Sequence, residues 1–382
     1  MKNIGVICEY NPFHNGHAKQ LSYMKTRGGT VCLMSGNYVQ RGEPAVLDKY
    51  VRAAAAVSSG ADLVLELPVT YALRSAEGFA AGGVEILDKL GCVDALCFGS
   101  ETGTAEHLMQ TARLLLTEQF AQKLRSELSS GVSFPCARQN ALEALGGDGE
   151  LLENPNDILA VEYCKAIIQQ KSRLAPMVLH REGSYHDSTD CGNPSASMLR
   201  MTEQWEQYVP AEALRLYDNA VRSTVLRGER AWLARLRAMT EREFERLPFG
   251  SEGLWRKLMH ACREKATLEE IIEAAKSKRY TRTRLMRMLL CAYLGISKEQ
   301  LEQEVPYVRV LALNETGGKI LREARNNGRL TILNAGEAAP DSAYAELERR
   351  ASDLYGLFAD ANKPTAPAVE SKARAVPVKI SF

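Results

Sequence analysis

The sequence lacks an excess of either charge: 48 Lys and Arg stand against 47 Asp and Glu, a formal net charge of +1 over 382 residues. Attraction of the whole molecule to a polyanion is therefore excluded, and any nucleic-acid surface must come from local clustering. Cysteine pairing is missing too. No two of the nine cysteines stand at the CxxC spacing of a zinc or redox site, and Cys8, Cys32 and Cys97 fall in apolar runs. That usage predicts reduced structural thiols and a cytoplasmic setting. No apolar run reaches the length of a membrane span, and the one after Lys2 is only strand-length, so neither a spanning helix nor a signal peptide is expected. The GxxxxGK[ST] phosphate loop is also missing, and Gly317-Gly318-Lys319 reads instead as the turn after a strand over residues 305–313. This strand and turn would belong to a small mixed segment returning to a helical region.

What is present begins with residues 4–17, IGVICEYNPFHNGH. Ile4, Val6 and Cys8 with the residues between them form an apolar run of the kind that makes a buried strand. Asn11-Pro12 ends it, Asn15-Gly16 permits a tight bend, and residues 17–25 follow a helical pattern. His14 is thus expected in a strand-to-helix loop and His17 at a helix start, where free backbone N–H groups and the helix dipole favour a phosphate. Two imidazoles at such a place can stabilise charge on an attacked α-phosphate. The alternatives are a zinc pair or two surface histidines. Zinc needs further ligands, and His107, His180, His186 and His260 are scattered.

Length suggests two domains. In the first half, apolar runs at 30–34, 63–67, 95–98 and 177–179 alternate with helical patterns at 49–59, 76–90 and 105–116. This alternation predicts an α/β fold with a Rossmann-like parallel sheet, whose ligands bind beyond the carboxyl ends of the strands. Polar motifs follow most of those ends. Gln40, Arg41 and Glu43 lie in a glycine-containing loop after the second run and could contact a substrate or form a solvated turn. Glu66 reads as a salt-bridge partner of Arg52 or Lys49 in preference to an acid lining the site. Gly99 would let a flat nucleoside approach the main chain, with Glu101 as an acceptor for ribose hydroxyls, or would simply serve a tight turn. Asn156 or Asp157 is expected as an N-cap. Arg181 is a cation at a strand end, suited to phosphates. Ser195 to Arg200 then opens a helix. From about residue 204 the pattern is mainly helical, giving an expected division into 1–203 and 204–382, the latter with a poorly ordered tail beyond Pro364. Lys276, Lys278, Arg279, Arg282, Arg284 and Arg287 cluster around Tyr280 without acidic residues in the run, and are candidates for RNA-backbone contacts or for a solvated helix face.

The ordered blocks EYNPFHNGH, MSGNYVQRGEPA, ADLVLELP, CFGSE, NPNDILAVEY and KRYTRTRL resemble the bacterial tRNA(Met) cytidine acetate ligase family, within the HxGH nucleotidylyltransferase superfamily. Ser195-Ala196-Ser197-Met198-Leu199-Arg200 is similar to the second superfamily motif, ISSTxxR, with Pro194 where an aliphatic residue is common. The resemblance implies catalysis by His14, His17, Arg181 and Arg200. It implies an ATP site formed by Ile7, Cys8, Tyr10, Asn11, Pro12, Phe13, His14, Gly16, His17, Gln20, Gly99, Ser100, Asn156, Arg181, Ser195 and Arg200. Magnesium would accompany ATP on its phosphate oxygens, with no protein-built metal site. The implied activity is acetate activation as acetyl-adenylate, followed by transfer to N4 of the wobble cytidine of elongator tRNA(Met), with no obligate protein partner and no membrane. HNGH alone also fits a small-molecule nucleotidylyltransferase, which would leave the basic helical half unexplained, and a non-catalytic RNA-binding protein on the same scaffold would lack ATP binding.

Overall fold

A computed structural model describes residues 2–180, 196–201, 205–277, 279–359 and 376–377. Among the described residues ten strands run in chain order as Asn3–Cys8 (β1), Gly29–Ser35 (β2), Tyr38–Val39 (β3), Glu43–Pro44 (β4), Leu63–Leu67 (β5), Ala95–Ser100 (β6), Ala175–His180 (β7), Tyr307–Leu313 (β8), Thr331–Leu333 (β9) and Val376–Pro377 (β10). The main sheet has the order β10-β8-β5-β2-β1-β6-β7, with β9 paired to β8. Its core is parallel, as expected from the alternating pattern: β1 lies parallel to both β2 and β6, β2 to β5, and β6 to β7.

Both faces of that core are buried, which is why its strands read as continuous apolar runs rather than alternating ones. Ile7, Val31, Leu33, Leu65 and Phe98 pack under the Ala76–Lys89 and Pro155–Gln169 helices' side of the sheet. Ile4, Val6, Cys32, Met34 and Val64 fill the other. The chain moves outward from β1 through β2 to β5, then crosses back so that β6 pairs with the opposite edge of β1. A crevice therefore opens between the carboxyl ends of β1 and β6, where the strand order reverses.

One expectation is corrected. The segment at 305–313 does not return to the helical region but joins the sheet as β8, antiparallel to β5. Gly317, Gly318 and Lys319 form no turn; they lie in the Glu315–Asn327 helix, capped by Asn314, whose side chain accepts from the Gly317 N–H. The reason is contact. A Cβ on Gly317 would stand 1.9 Å from the Asp62 carbonyl oxygen, so this glycine lets a helix approach the sheet rather than breaking it.

Between these segments lies a helical layer, including Val225–Ala238, Leu254–Glu264, Leu268–Ala275 and Arg282–Leu294, and joined by Ala343–Tyr355. It packs around Trp232, Phe244, Leu289 and Phe358. The small β3–β4 hairpin bridges the layers: Tyr38 is buried in the helical core, and its hydroxyl donates to the Ala351 carbonyl at 3.0 Å. No helix among the described residues is long and apolar enough to cross a membrane.

Two buried cations hold the strand ends in place. Lys49, not Arg52, pairs with Glu66, donating to both carboxylate oxygens at 2.9 and 2.8 Å. Arg52 is fully buried and donates to the carbonyls of Leu47, Ser35, Gly36 and Glu9. Glu66→Ala, which strands the Lys49 ammonium in the interior, is expected to cost about 3–5 kcal/mol of stability, read from urea unfolding.

Candidate active site

The turn out of β1 is made by Tyr10, a non-glycine residue with φ of 47°. Its ring packs edge-on to Phe13, centroids 4.9 Å apart, which anchors the loop and delivers His14 to the helix start. The helix begins earlier than the apolar pattern suggests, at Asn15, with His14 as its N-cap. Asn15 and Gly16, read as a bend, are its first two residues.

The two imidazoles stack with centroids 3.8 Å apart. His14 Nδ1 accepts from the Gly16 N–H at 3.1 Å, and His17 Nδ1 accepts from the His14 N–H at 3.3 Å. With both Nδ1 atoms serving as acceptors, the ring proton of each neutral imidazole sits on Nε2. This arrangement corrects the expectation of free helix N–H groups. Asn15 donates to the Tyr208 carbonyl, Gly16 to His14 Nδ1 and His17 to the His14 carbonyl, so the first turn is already satisfied. An anion at this helix start would meet side chains rather than free backbone amides.

A cavity of about 360 Å³ opens beside this pair. Of the residues named from sequence, Ile7, Cys8, Tyr10, Asn11, Gly16, His17, Gln20, Gly99, Asn156 and Arg200 line it. Arg200 donates through Nη1 to the Asn11 carbonyl at 2.9 Å, which holds its guanidinium against the HNGH loop. Four others do not reach the wall. Pro12 and Phe13 are buried beneath the loop, His14 is 4% exposed behind His17, and the Ser100 hydroxyl donates to Asp157. Arg181, Ser195 and Lys278 lie outside the described residues. Gln40 and Arg41, left open between site and solvated turn, are on the wall.

The sequence reading missed the rest of the lining. Phe79, Phe98, Leu159, Tyr163 and Leu179 form an apolar side able to receive a flat ring, and Glu9 contributes a carboxylate. Glu9 stands directly after β1, so the rule that ligands meet strand ends could have found it. The aromatic residues carried no such signal, because their spacing is that of ordinary core.

The wall around Gly99 is fixed by Asp157, which is fully buried. Its carboxylate accepts from the Ser100 hydroxyl, the Glu101 N–H at 2.9 Å and the Thr102 hydroxyl at 3.0 Å. Glu101 returns the contact by accepting from the Asn156 amide and from the Asp157 N–H at 3.1 Å. Neither Asn156 nor Asp157 is the N-cap of the following helix; Asn154 holds that position with no side-chain cap bond, and Glu101 supplies an acceptor from across the cleft. Its expected part as a ribose acceptor is thus shared with a structural one.

The basic cluster also looks different in three dimensions. Lys276 pairs with Glu273, Arg279 with Glu252, and Arg282 with both oxygens of Glu269 at 2.6 and 2.7 Å. Arg284 donates to the Phe249 carbonyl, and Arg287 is buried over the Phe249 ring, its pKa pushed down to about 10 by that burial. Glu273 stands three residues before Lys276, whereas Glu252 and Glu269 come from other elements, beyond the reach of a local scan. Among the described residues no group of three or more His, Cys, Asp or Glu side chains is gathered to hold a metal ion.

Comparison with known proteins agrees with this geometry. A HIGH Nucleotidyl Transferase family profile matches residues 1–368. The tRNA(Met) cytidine acetate ligase of Syntrophomonas wolfei is 36% identical over 395 residues, covering 94% of this chain and 95% of that protein. That of Clostridium novyi is 35% identical, covering 87% and 89%. The chain belongs to the tRNA(Met) cytidine acetate ligase family. Within this family, Thermotoga maritima TmcAL bound with alpha-thio ATP is similar in structure, with a TM-score of 0.89 and 29% identity over 99% of this chain and 100% of that one. Its apo form gives a TM-score of 0.87 at 30% identity. The likeness to these acetate ligases spans the helical layer as well as the sheet.

The clasp between the β6 loop and the next helix is testable by Asp157→Asn. This change sets an amide donor among groups that already donate, and is expected to cost about 1–3 kcal/mol in urea unfolding.

Proposed function

We propose that this chain activates acetate with ATP as acetyl-adenylate and transfers the acetyl group to N4 of the wobble cytidine of elongator tRNA(Met), giving N4-acetylcytidine in the cytoplasm. The observation that carries the reading is the match, along nearly the whole chain and with the helical layer included, to relatives named tRNA(Met) cytidine acetate ligase. A small-molecule nucleotidylyltransferase would need only the cleft.

In this reading the first 203 residues supply the adenylation site, and the helical layer after them meets the tRNA. The adenine lies against the apolar wall near Gly99 and Asn156. The Nε2–H of His17 donates to the α-phosphate as an acetate oxygen attacks phosphorus, His14 stacks behind it and fixes its placement, and Arg200, with Arg181, neutralises the departing pyrophosphate. Magnesium would be carried by the phosphate oxygens of the nucleotide and supply further charge neutralisation. Positioning and charge account for this step, and no covalent enzyme intermediate is required. On the helical layer, exposed pairs such as Arg279–Glu252 and Arg282–Glu269 are weak enough for tRNA phosphates to displace their carboxylates.

The test is incubation with ATP, radiolabelled acetate and unmodified elongator tRNA(Met), then digestion and a search for labelled N4-acetylcytidine. Acetate-dependent pyrophosphate release without that label would mean a different acceptor, and neither product would favour the small-molecule reading. His17→Ala is expected to lower acetate-dependent ATP–pyrophosphate exchange by about 10²–10³-fold, with tRNA affinity nearly intact; equal loss of both would make the motif structural. Replacing Arg279 and Arg282 together with Ala is expected to weaken tRNA binding and reduce its salt slope by about one to two units, while acetate-dependent ATP use persists.

A further inference from the structure

Glu9 is the one carboxylate lining the cavity among the described residues, and ATP is a polyanion. One of its oxygens, Oε1, accepts from the Gln40 N–H at 2.7 Å, and its main-chain carbonyl is tied to Arg52. The other, Oε2, has no hydrogen-bond partner among the described residues. Tyr163 lines the same cavity and is buried, and its hydroxyl is likewise unpartnered among the described residues. The cavity thus holds a carboxylate oxygen open to a ligand beside a buried hydroxyl, and of the two only the hydroxyl is costly to leave unpaired.

Position decides which ligand. Glu9 adjoins the HNGH loop, and the guanidiniums of Arg200, Arg52 and Arg41 act on its carboxylate. It therefore stands among the cations suited to phosphate, not on the far wall by Gly99 and Asn156. A carboxylate there repels a phosphate oxygen but attracts a group that sheds a proton. Acylation of an amine requires such a group.

We propose that Glu9 is the general base of the transfer step, its Oε2 taking the proton that the acceptor amine loses as it is acylated. This rests on the acetyl-transfer reading above. The amine nitrogen lone pair attacks the acyl carbon of acetyl-adenylate and the C–N bond forms. The bond from that carbon to the phosphate oxygen breaks, AMP departs with the electron pair, and the amine proton passes to Glu9. An exocyclic nucleobase amine is barely basic before attack, so its proton becomes acidic only as the new bond forms, when a nearby carboxylate can accept it. Burial raises the Glu9 carboxyl above the ordinary carboxylate range, opposed by the Gln40 N–H and by Arg200, Arg52 and Arg41. The Tyr163 phenol on the Pro155–Gln169 helix, held protonated by burial, feels the Glu9 charge, and the His17 imidazole lines the same cavity.

The experiment measures two half-reactions in wild type, Glu9→Gln and Glu9→Asp. Acetate-dependent ATP–pyrophosphate exchange reads adenylation, and single-turnover acetyl transfer to unmodified tRNA reads the second step. Glu9→Gln, which keeps the acceptor for Gln40, is expected to slow transfer by about 10²–10⁴-fold while exchange falls far less. Glu9 must be ionised to act, so wild-type transfer falls as pH drops through its raised pKa, and the glutamine variant loses that acidic limb. Glu9→Asp, an acid one methylene shorter, is expected to recover part of the rate and the limb. Transfer as fast in Glu9→Gln as in wild type, or exchange and transfer falling together, would overturn the proposal. A wild type that exchanges but never transfers would overturn the acceptor reading and the base with it, whereas a wild type that does neither would point to the adenylation reading itself.

Discussion

The geometry of the cleft depends on one guanidinium that water does not reach. Arg52 offers its N–H donors to main-chain carbonyls on three separate pieces of chain: Glu9 after β1, Ser35 and Gly36 at the end of β2, and Leu47 before its own helix. Burial alone lowers its pKa, and the nearby Tyr355, Asp48, Glu9 and Tyr217 oppose that effect. A lysine could not make the same set of bonds, because only a planar fork with donors on three nitrogens spans carbonyls lying in different directions. The carboxyl ends of two adjacent parallel strands diverge into loops with no ladder to hold them. Arg52 supplies the missing bonds, and the lining contributed by residues 6–11 and 40–41 inherits its placement from them.

How much of this was legible follows from the range of the interactions. The strand, loop and helix around HNGH could be read because each signal lies within a few residues of its effect: an apolar run, a breaker, a periodic pattern. The parallel sheet was legible for the same reason, since both-faces burial leaves unbroken apolar stretches at β2, β5 and β6. The pairing of Arg282 with Glu269 and of Arg279 with Glu252 was not, because each joins separate elements. Nor could local sequence show that the first-turn N–H groups are consumed: the Asn15 partner is a carbonyl at Tyr208, nearly two hundred residues away.

The misreadings at Gly317 and Asp157 share a cause. Glycine and aspartate each have a strong local habit, as breaker and as cap, and a tertiary contact put each to a different use. Gly317 is small because Asp62 is close, and Asp157 is acidic because a cluster of donors from the β6 loop converges on it. In both places the residue type was right for the physics and the partner was invisible.

Gly42, with φ of 83°, lies where a Cβ would come within 2.4 Å of the Arg287 backbone nitrogen, while two residues before it the Gln40 N–H grips Glu9 in the cleft. One short hairpin is thus fitted to the helical layer by shape and to the sheet by hydrogen bonding. The two layers are consequently not interchangeable modules. A chimera taking its helices from one relative and its sheet from another would have to carry residues 36–46 with the helices and the matching acid with the sheet, so lineages should exchange or diversify this protein as a unit rather than piecemeal.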